Sequence, residues 1–351
     1  MSDPSSGTGQ RLFLIWMKAP RYPLWSIPES SVHMVRHALG SGWRVESLDE
    51  PLHASGDGIS EVPRAVLDRI SEAEVFCSFG IPAPLLRAAR QLRWVHSGAA
   101  GVGASLHATM RESDVLFTNS AGIHAEPMAE HALAMILHFA RGMDIAAAGQ
   151  RARDWRHAEM ASEPIVTGEI AGKVVGIVGY GGIGRAVGSR CAALGMRVRA
   201  IRRTRGALPP EVEWIGTPDR LGDLLRSSDF LVVAVPETPA TSQLIGRQEI
   251  AEMKPGAVLV NVARGGIVDE VALTEALVER RLRGAGLDVF GREPLSSDNP
   301  LWELDNALIT PHVGGNSPEF WRRETDLIVR NIARFLSGDP LENLVDKELG
   351  Y

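Results

Sequence analysis

The run Val174-Val-Gly-Ile-Val178 leads without a break into Gly179-Tyr180-Gly181-Gly182-Ile183-Gly184, and a helical stretch, RAVGSRCAALG, follows to Gly195. No other feature restricts the fold so strongly. A strand that turns through G-x-G-x-x-G into a helix meets three separate geometric demands. Gly179 allows a tight turn, Gly181 lets the backbone approach a phosphate group, and Gly184 lets helix and strand pack closely. The amino end of the helix then offers free N–H groups and the positive end of a dipole to that phosphate. An ordinary tight turn could carry the same glycines. Here a further strand at residues 197–201 completes a β–α–β unit, and that context points to a dinucleotide site.

About 20 residues past such a turn, an acid usually accepts hydrogen bonds from the ribose 2′-hydroxyl of NAD. This chain instead has Arg202-Arg203-Thr204. Guanidinium groups favour the 2′-phosphate of NADP through charge-assisted and often bidentate bonds, each worth roughly 1.5–3 kcal/mol. The alternative is a solvated basic loop. The chain as a whole carries a formal charge of −6, which argues against a nucleic-acid partner and leaves the arginines needing a local reason. NADP(H) is the expected cofactor, with NAD(H) also admissible.

Around this unit the chain alternates short apolar runs with helical stretches, the pattern of parallel α/β sheets. Residues 12–16, 43–48, 75–79 and 92–97 read as strands, with helices at 30–39, 61–70 and 84–90 between or after them. A second series has strands at 173–179, 197–201, 229–236, 257–264, 285–290 and 306–310, six in all, the count of a complete dinucleotide-binding sheet. Between the series lies EPMAEHALAMILHFARG (126–142), apolar around most of its circumference and therefore expected to be buried between domains or between subunits. A last helix is expected near 319–336. At 351 residues the chain has length for two domains. The opening MSDPSSGTGQ is polar and expected to be disordered. The apolar run from Leu12 to Met17 is too short for a membrane span or a signal-peptide core. Cys77 and Cys191 are far apart and without CxxC spacing, which fits two free thiols in a reducing cytoplasm.

Three strand-end segments of the second series carry titratable groups framed by Gly or Pro. They are NVARGGIVDE (261–270), GLDVFGREPL (286–295) and ITPHVGG (309–315), which present Arg264, Glu293 and His312. Hydride transfer to a ketone needs a cation that polarises the carbonyl and an acid that protonates the forming alkoxide. Arginine suits the first role, and histidine, titrating near neutrality, suits the second. A carboxylate against the imidazole orients it and favours its protonated form. Any one of these residues alone would read as a surface or capping group. Together, beside a nucleotide turn, they read as a site.

These motifs, with GYGGIG, NPLWELDNALITPHVGG and the closing RFLSGDPLENLVDKELGY, resemble the D-isomer-specific 2-hydroxyacid dehydrogenase family from about residue 70 onward. That group includes glyoxylate/hydroxypyruvate reductases and D-lactate and phosphoglycerate dehydrogenases. The resemblance implies two Rossmann-like α/β domains, parallel sheets flanked by helices, with the active site in the interdomain cleft. The substrate-binding domain would be 1–121 plus 315–351, and the dinucleotide-binding domain 122–314. It also implies a cytoplasmic homodimer that acts on a small 2-oxoacid or 2-hydroxyacid, with no nucleic acid and no membrane. Arg264 would bind and polarise the substrate, His312 would serve as acid/base, and Glu293 would be its partner. Asp288 would hold the nicotinamide carboxamide. The loop Gly98-Ala99-Ala100-Gly101 would bind the substrate carboxylate. The cofactor would lie on Gly179 to Gly184, on Arg202, Arg203 and Thr204, and beside Val235, Pro236, Thr241, Val262, Ala263 and His312. The family usually has an acid after the Gly-Val of the substrate loop, where this chain has Gly103.

Other readings are weaker. A short-chain dehydrogenase needs a Tyr followed four residues later by Lys, and Tyr22 and Tyr180 are followed there by Ser26 and Gly184. Formate dehydrogenases have Gln where Glu293 stands. A nucleotide-sensing binding protein of the corepressor type would share the fold without the turnover; the Arg202 position favours a reductase. His33 and His37 lie at i, i+4 but lack a third metal ligand, so a helix surface is the better reading. His124, His131 and His138 recur every seven residues and are expected on one packed, non-catalytic face. Trp155 and Trp321 could wall the active cleft, but as isolated aromatics they are expected to serve packing.

Overall fold

Apolar runs of four to six residues, joined by helical stretches, give parallel strands that must be covered on both faces. A computed structural model of the chain describes residues 10–55, 58–59, 61–162, 167–204 and 206–350. The polar opening, through residue 9, falls outside them. The chain forms two units, Met1–His124 with Asn316–Tyr351, and Ala125–Gly315. The sequence placed the breaks at 121 and 314.

The first unit holds β1 (Arg11–Trp16), β2 (Trp43–Ser47), β5 (Ala73–Ser78), β6 (Trp94–Ser97) and β7 (Leu116–Asn119), with a two-residue hairpin of β3 (Ala54–Ser55) and β4 (Gly58–Ile59). The sheet order is β2-β1-β5-β6-β7, and all pairs are parallel. That is the flavodoxin-like order. Its core includes Phe13, Trp94 and Phe117 together with Phe320, Ile328 and Ile332 from the helix Phe320–Ser337, which packs against the helix Glu29–Leu39. At the centre of this unit a polar chain is fully buried. The Trp94 indole N–H donates to Thr118 Oγ1 at 2.9 Å, His96 Nδ1 lies 2.8 Å from the same oxygen, and His96 Nε2 lies 2.9 Å from Glu324 Oε1.

The second unit holds β8 (Val174–Val178), β9 (Arg197–Ile201), β10 (Val212–Gly216), β11 (Phe230–Val233), β12 (Val258–Asn261), β13 (Gly284–Leu287) and β14 (Ala307–Ile309). Their order, β10-β9-β8-β11-β12-β13-β14, is a doubly wound parallel sheet whose first strand, β8, carries the glycine turn. Every residue of β8, β11, β12 and β13 is buried, and apolar clusters lie on both faces. Seven strands replace the six expected; β10 was not foreseen, and neither was β7 in the first unit. The helix Ala125–Ala140 buries one face, through Ala129, Ala132, Met135, Ile136 and Phe139, rather than its whole circumference within this unit. A side chain at Gly286 of β13 would come within 2.7 Å of Met135, so glycine is what lets that helix lie directly on the sheet.

Both cysteines are buried and free. Among the described residues no group of His, Cys, Asp and Glu could hold a metal ion, and no single helix is long and apolar enough to cross a membrane.

Candidate active site

Parallel strands send every following loop to one edge of the sheet, so the order of strands sets the order of groups along that edge. The turn after β8 meets its three demands. Gly179 has φ +101°, and a Cβ there would strike Ala234 O at 2.5 Å. A Cβ on Gly184 would fall 2.0 Å from Gly179 O, while one on Gly181 would meet nothing within 4 Å. Of these three glycines, Gly181 is the one with open space above it, where a pyrophosphate would need it. The helix Gly182–Ala193, which includes Ile183, starts there. Tyr180 faces inward and donates to Glu211 Oε1 at 2.9 Å; burial, with the Glu211 carboxylate, pushes its phenol well above the usual tyrosine value. It fastens the turn to the approach to β10.

One strand outward, β9 delivers Arg202, Arg203 and Thr204. Arg202 gives one terminal nitrogen to Ala207 O at 3.0 Å and leaves its Nε buried with no acceptor. A buried donor without an acceptor carries a desolvation cost, and an anion beside Arg202 would supply what the chain does not. Arg203 and Thr204 are exposed. On the other side of β8, the loop after β11 presents Val235 and Pro236. Thr241 donates to Pro236 O at 2.6 Å and so closes its own turn. Val262 and Ala263 are buried and can face a ligand only through backbone.

The loops after β12, β13 and β14 bring Arg264, Glu293 and His312 together. Arg264 caps a short turn, its carbonyl held by Asn261 Nδ2 at 3.0 Å. The next residue, Gly265, touches the Phe290 backbone so closely that a Cβ would lie 1.9 Å from it, which draws the β12 and β13 loops into contact. Glu293 Oε1 accepts the Phe290 N–H at 3.0 Å, and Oε2 lies 2.7 Å from His312 Nδ1. The Glu293 hydrogen bond, with its charge, raises His312 above the usual histidine value; burial and the Arg264 charge oppose this without cancelling it. Burial acts to raise Glu293, but the bonds from His312 and Phe290 and the positive charges nearby outweigh it and hold it below the usual carboxylate range. The ionised carboxylate fixes the proton on Nδ1, and Nε2 makes no hydrogen bond within the described residues. That nitrogen is the one able to exchange a proton with a ligand.

Asp288 is bound first by the chain itself. It is 1% exposed, and both oxygens are engaged. Oδ1 accepts from Thr310 Oγ1 at 2.6 Å and Val313 N at 2.9 Å, and Oδ2 from Gly314 N at 2.8 Å. In this structure Asp288 anchors the loop that carries His312. His131, on the helix Ala125–Ala140, reaches the same anchor, with Nε2 2.9 Å from Thr310 Oγ1 and 3.4 Å from Asp288 Oδ1. The seven-residue spacing of histidines therefore does not mark one inert face. His131 supports the site, while His124 belongs to the other unit and stacks on Phe320 with centroids 5.3 Å apart. His138 is half-buried on the same helix as His131, edge-on to Phe139, and burial lowers it. Only a helix register tied to Thr310 could have revealed His131, and sequence spacing carries no such tie.

In the first unit, the loop after β6 is fixed from below. Gly98 N donates to Ser78 O, Ser120 N to Ala99 O, and Asn119 Nδ2 to Ala100 O at 2.7 Å. Gly98 is buried, and a Cβ there would strike Met17 at 2.7 Å, so its part is packing. The amides of Ala100 and Gly101 have no acceptor within the described residues, and both residues are half-exposed. Trp321 is part of an aromatic cluster with Phe79 and Phe320 and donates to Leu24 O. Trp155 is 90% exposed in the chain, against the packing role expected for it. His33 and His37 are exposed on their helix.

Comparison with known proteins gives the family and the fold. Residues 133–314 match the family described as D-isomer specific 2-hydroxyacid dehydrogenase, NAD binding domain. Over 342 residues the chain is 33% identical to the glyoxylate reductase of Thermococcus gammatolerans, spanning 95% of this chain and 97% of that one. A D-isomer specific 2-hydroxyacid dehydrogenase from Xanthobacter autotrophicus, solved in complex with NADPH and MES, superposes with a TM-score of 0.78 at 29% identity, covering 97% of this chain and 99% of that one. The NADPH-dependent glyoxylate/hydroxypyruvate reductase of Sinorhizobium meliloti, solved with NADP and sulfate, gives 0.75 at 27% identity, covering 97% and 100%.

Proposed function

Because this chain belongs to the D-isomer specific 2-hydroxyacid dehydrogenase family, and is therefore a nicotinamide-dependent oxidoreductase acting on CH–OH donors, we propose that it reduces glyoxylate or hydroxypyruvate with a preference for NADPH. The observation that carries the reading is the 2.7 Å pair of His312 and Glu293, within reach of the Arg264 charge. Arg202 and its neighbours, in the place of the NAD-binding acid, support the cofactor preference. The names of the relatives support the substrate class.

When bound, the reduced nicotinamide supplies the hydride. Arg264 anchors the 2-oxoacid and draws electron density from its carbonyl as negative charge develops on the oxygen. His312, protonated at both nitrogens, donates its Nε2 proton to that oxygen and is left neutral. Glu293 holds the ring by Nδ1 throughout and stabilises the imidazolium before transfer. The free amides of Ala100 and Gly101 are assigned to the substrate carboxylate. Two buried, unbridged thiols support a reducing, cytoplasmic location, and the family resemblance supports a homodimer.

The test is a panel of initial rates, NADPH and NADH each with glyoxylate, hydroxypyruvate, pyruvate and a bulkier 2-oxoacid. Faster turnover with NADPH on glyoxylate and hydroxypyruvate is expected. Equal rates with NADH would remove the cofactor preference. Tight NADPH binding with no turnover on any 2-oxoacid would favour a nucleotide sensor.

A further inference from the structure

Beyond the ends of β9 and β10 the second unit has a hollow of about 370 Å³. Its walls include Arg202 and Thr204 from the β9 loop, Trp214 from β10, and Thr217, Asp219 and Arg220 from the turn that follows β10. Both loops leave the same edge of the sheet. The hollow is therefore on the glycine-turn side, four strands away from β13 and the Glu293 loop, a separation of about 19 Å at the usual strand spacing of ~4.8 Å. That is where the adenosine end of a dinucleotide lying across the glycine turn would come.

Arg220 is prepared for an anion in this hollow. Its Nε is tied to Asp223 Oδ2, and its guanidinium carbon lies 5.6 Å from the centroid of the Trp214 ring. Gly216 makes room for that arrangement, since a Cβ there would come within 2.7 Å of the Trp214 ring and 3.1 Å of Arg220 Cβ. The two terminal nitrogens of Arg220 make no hydrogen bond to a described residue. Asp219 lines the same space with opposite charge, but its carboxylate accepts the Thr217 hydroxyl at 2.5 Å. Against it stand two guanidinium groups, so the charged lining is net positive. A phosphate monoester carries between one and two negative charges at neutral pH, and a planar fork held in place gives up little freedom in binding it.

We infer that Arg220, which lies outside the glycine-turn motif and 18 residues beyond Arg202, is a second reader of the 2′-phosphate of NADP(H), closing on it from the β10 side while Arg202 holds it from the β9 side. This rests on the NADPH preference proposed above. The test titrates the full-length chain, as wild type, Arg220→Ala, Arg220→Lys and Arg202→Ala, with NADPH, NADH, 2′-AMP and 5′-AMP by calorimetry. Arg220→Ala is expected to weaken NADPH and 2′-AMP about tenfold or more, the loss of one charge-assisted contact, with NADH and 5′-AMP unchanged. Lysine at 220 should restore part of the loss. If Arg202→Ala loses the selectivity while Arg220→Ala keeps it, the inference fails and the cofactor preference stands. An equal loss of NADH affinity in Arg220→Ala would make the residue a structural prop and also overturn the inference. A wild type that binds NADPH no better than NADH would overturn both.

Discussion

At the scale of the residue, His312 is held in a conformation that histidine seldom adopts. Its φ is +54°, in the left-handed region, and its N–H is shared between Asp288 O and Thr310 O. Strain of that kind persists only where surrounding bonds over-determine it. The sequence made the residue types and their loops legible, because Gly and Pro frame each motif. That the imidazole meets Glu293 came from the family resemblance, since the residues alone do not show it. Two predictions follow from that geometry. His312→Ala should lower kcat by about 10²- to 10⁴-fold, the usual worth of a positioned acid, with the NADPH dissociation constant nearly unchanged; near-normal turnover would remove His312 from the mechanism. The second concerns pH. Reduction needs the protonated ring, and Glu293 raises His312 above its ordinary value of about 6.5. Rates of reduction should therefore hold through neutral pH and fall as pH rises past that raised value. Glu293→Gln removes the main cause of the shift, so the falling limb should move to lower pH. A profile that keeps its place in Glu293→Gln would show that another group sets it.

At the scale of the element, the strands of the two large sheets that sequence pattern did not reveal, β7 and β10, are both edges. Inner parallel strands are covered on both faces and read as continuous apolar runs. β10 is not; it buries only its first residue, Val212, and reads as VEWIG. Lack of burial thus hid the edge that carries Trp214 and leads to Arg220, whereas β7 buries three of its four residues but, as LFTN, is too short and too polar a run to stand out. The same limit applies to Asp288. From the sequence it is one more acid after a strand, and only tertiary packing turns its oxygens onto Thr310, Val313 and Gly314. Burial acts to raise Asp288, but those bonds and His131 outweigh it and hold it low. Its contribution to stability is therefore present above the unfolded value of about 3.9 and lost as pH falls through the lower folded value. Asp288→Asn turns an acceptor into a donor against one of the two backbone N–H groups. It should cost about 1–3 kcal/mol in urea unfolding at pH 7 and lower kcat by loosening the His312 loop. Unchanged stability would mean the loop is held by other contacts.

At the scale of the whole molecule, the two units differ in how they are closed along the chain. Ala125–Gly315 is continuous and has an apolar cluster on each face of its sheet. The other unit is completed from the far end of the sequence. Phe320, Ile328 and Ile332, all within 1% of full burial, enter its core from the helix Phe320–Ser337, and Glu324 of that helix meets the buried His96. Burying three such side chains is worth about 1.5–3 kcal/mol each, roughly 5–9 in all, against a total stability of about 5–15 kcal/mol for an ordinary domain. Without the helix, His96 would also lose its acceptor inside the protein, a further cost. A segment of residues 125–315 should therefore melt cooperatively by itself, and its melting temperature should rise when NADPH is added, since a ligand that binds only the folded form stabilises it. Residues 10–124 without 316–350 should give no cooperative transition in calorimetry, and should regain one when the C-terminal segment is joined by a short linker. A cooperative melt of 10–124 alone would show that the returning helix is an addition to a core already sufficient, and that the buried His96–Glu324 contact contributes little to holding the first sheet together.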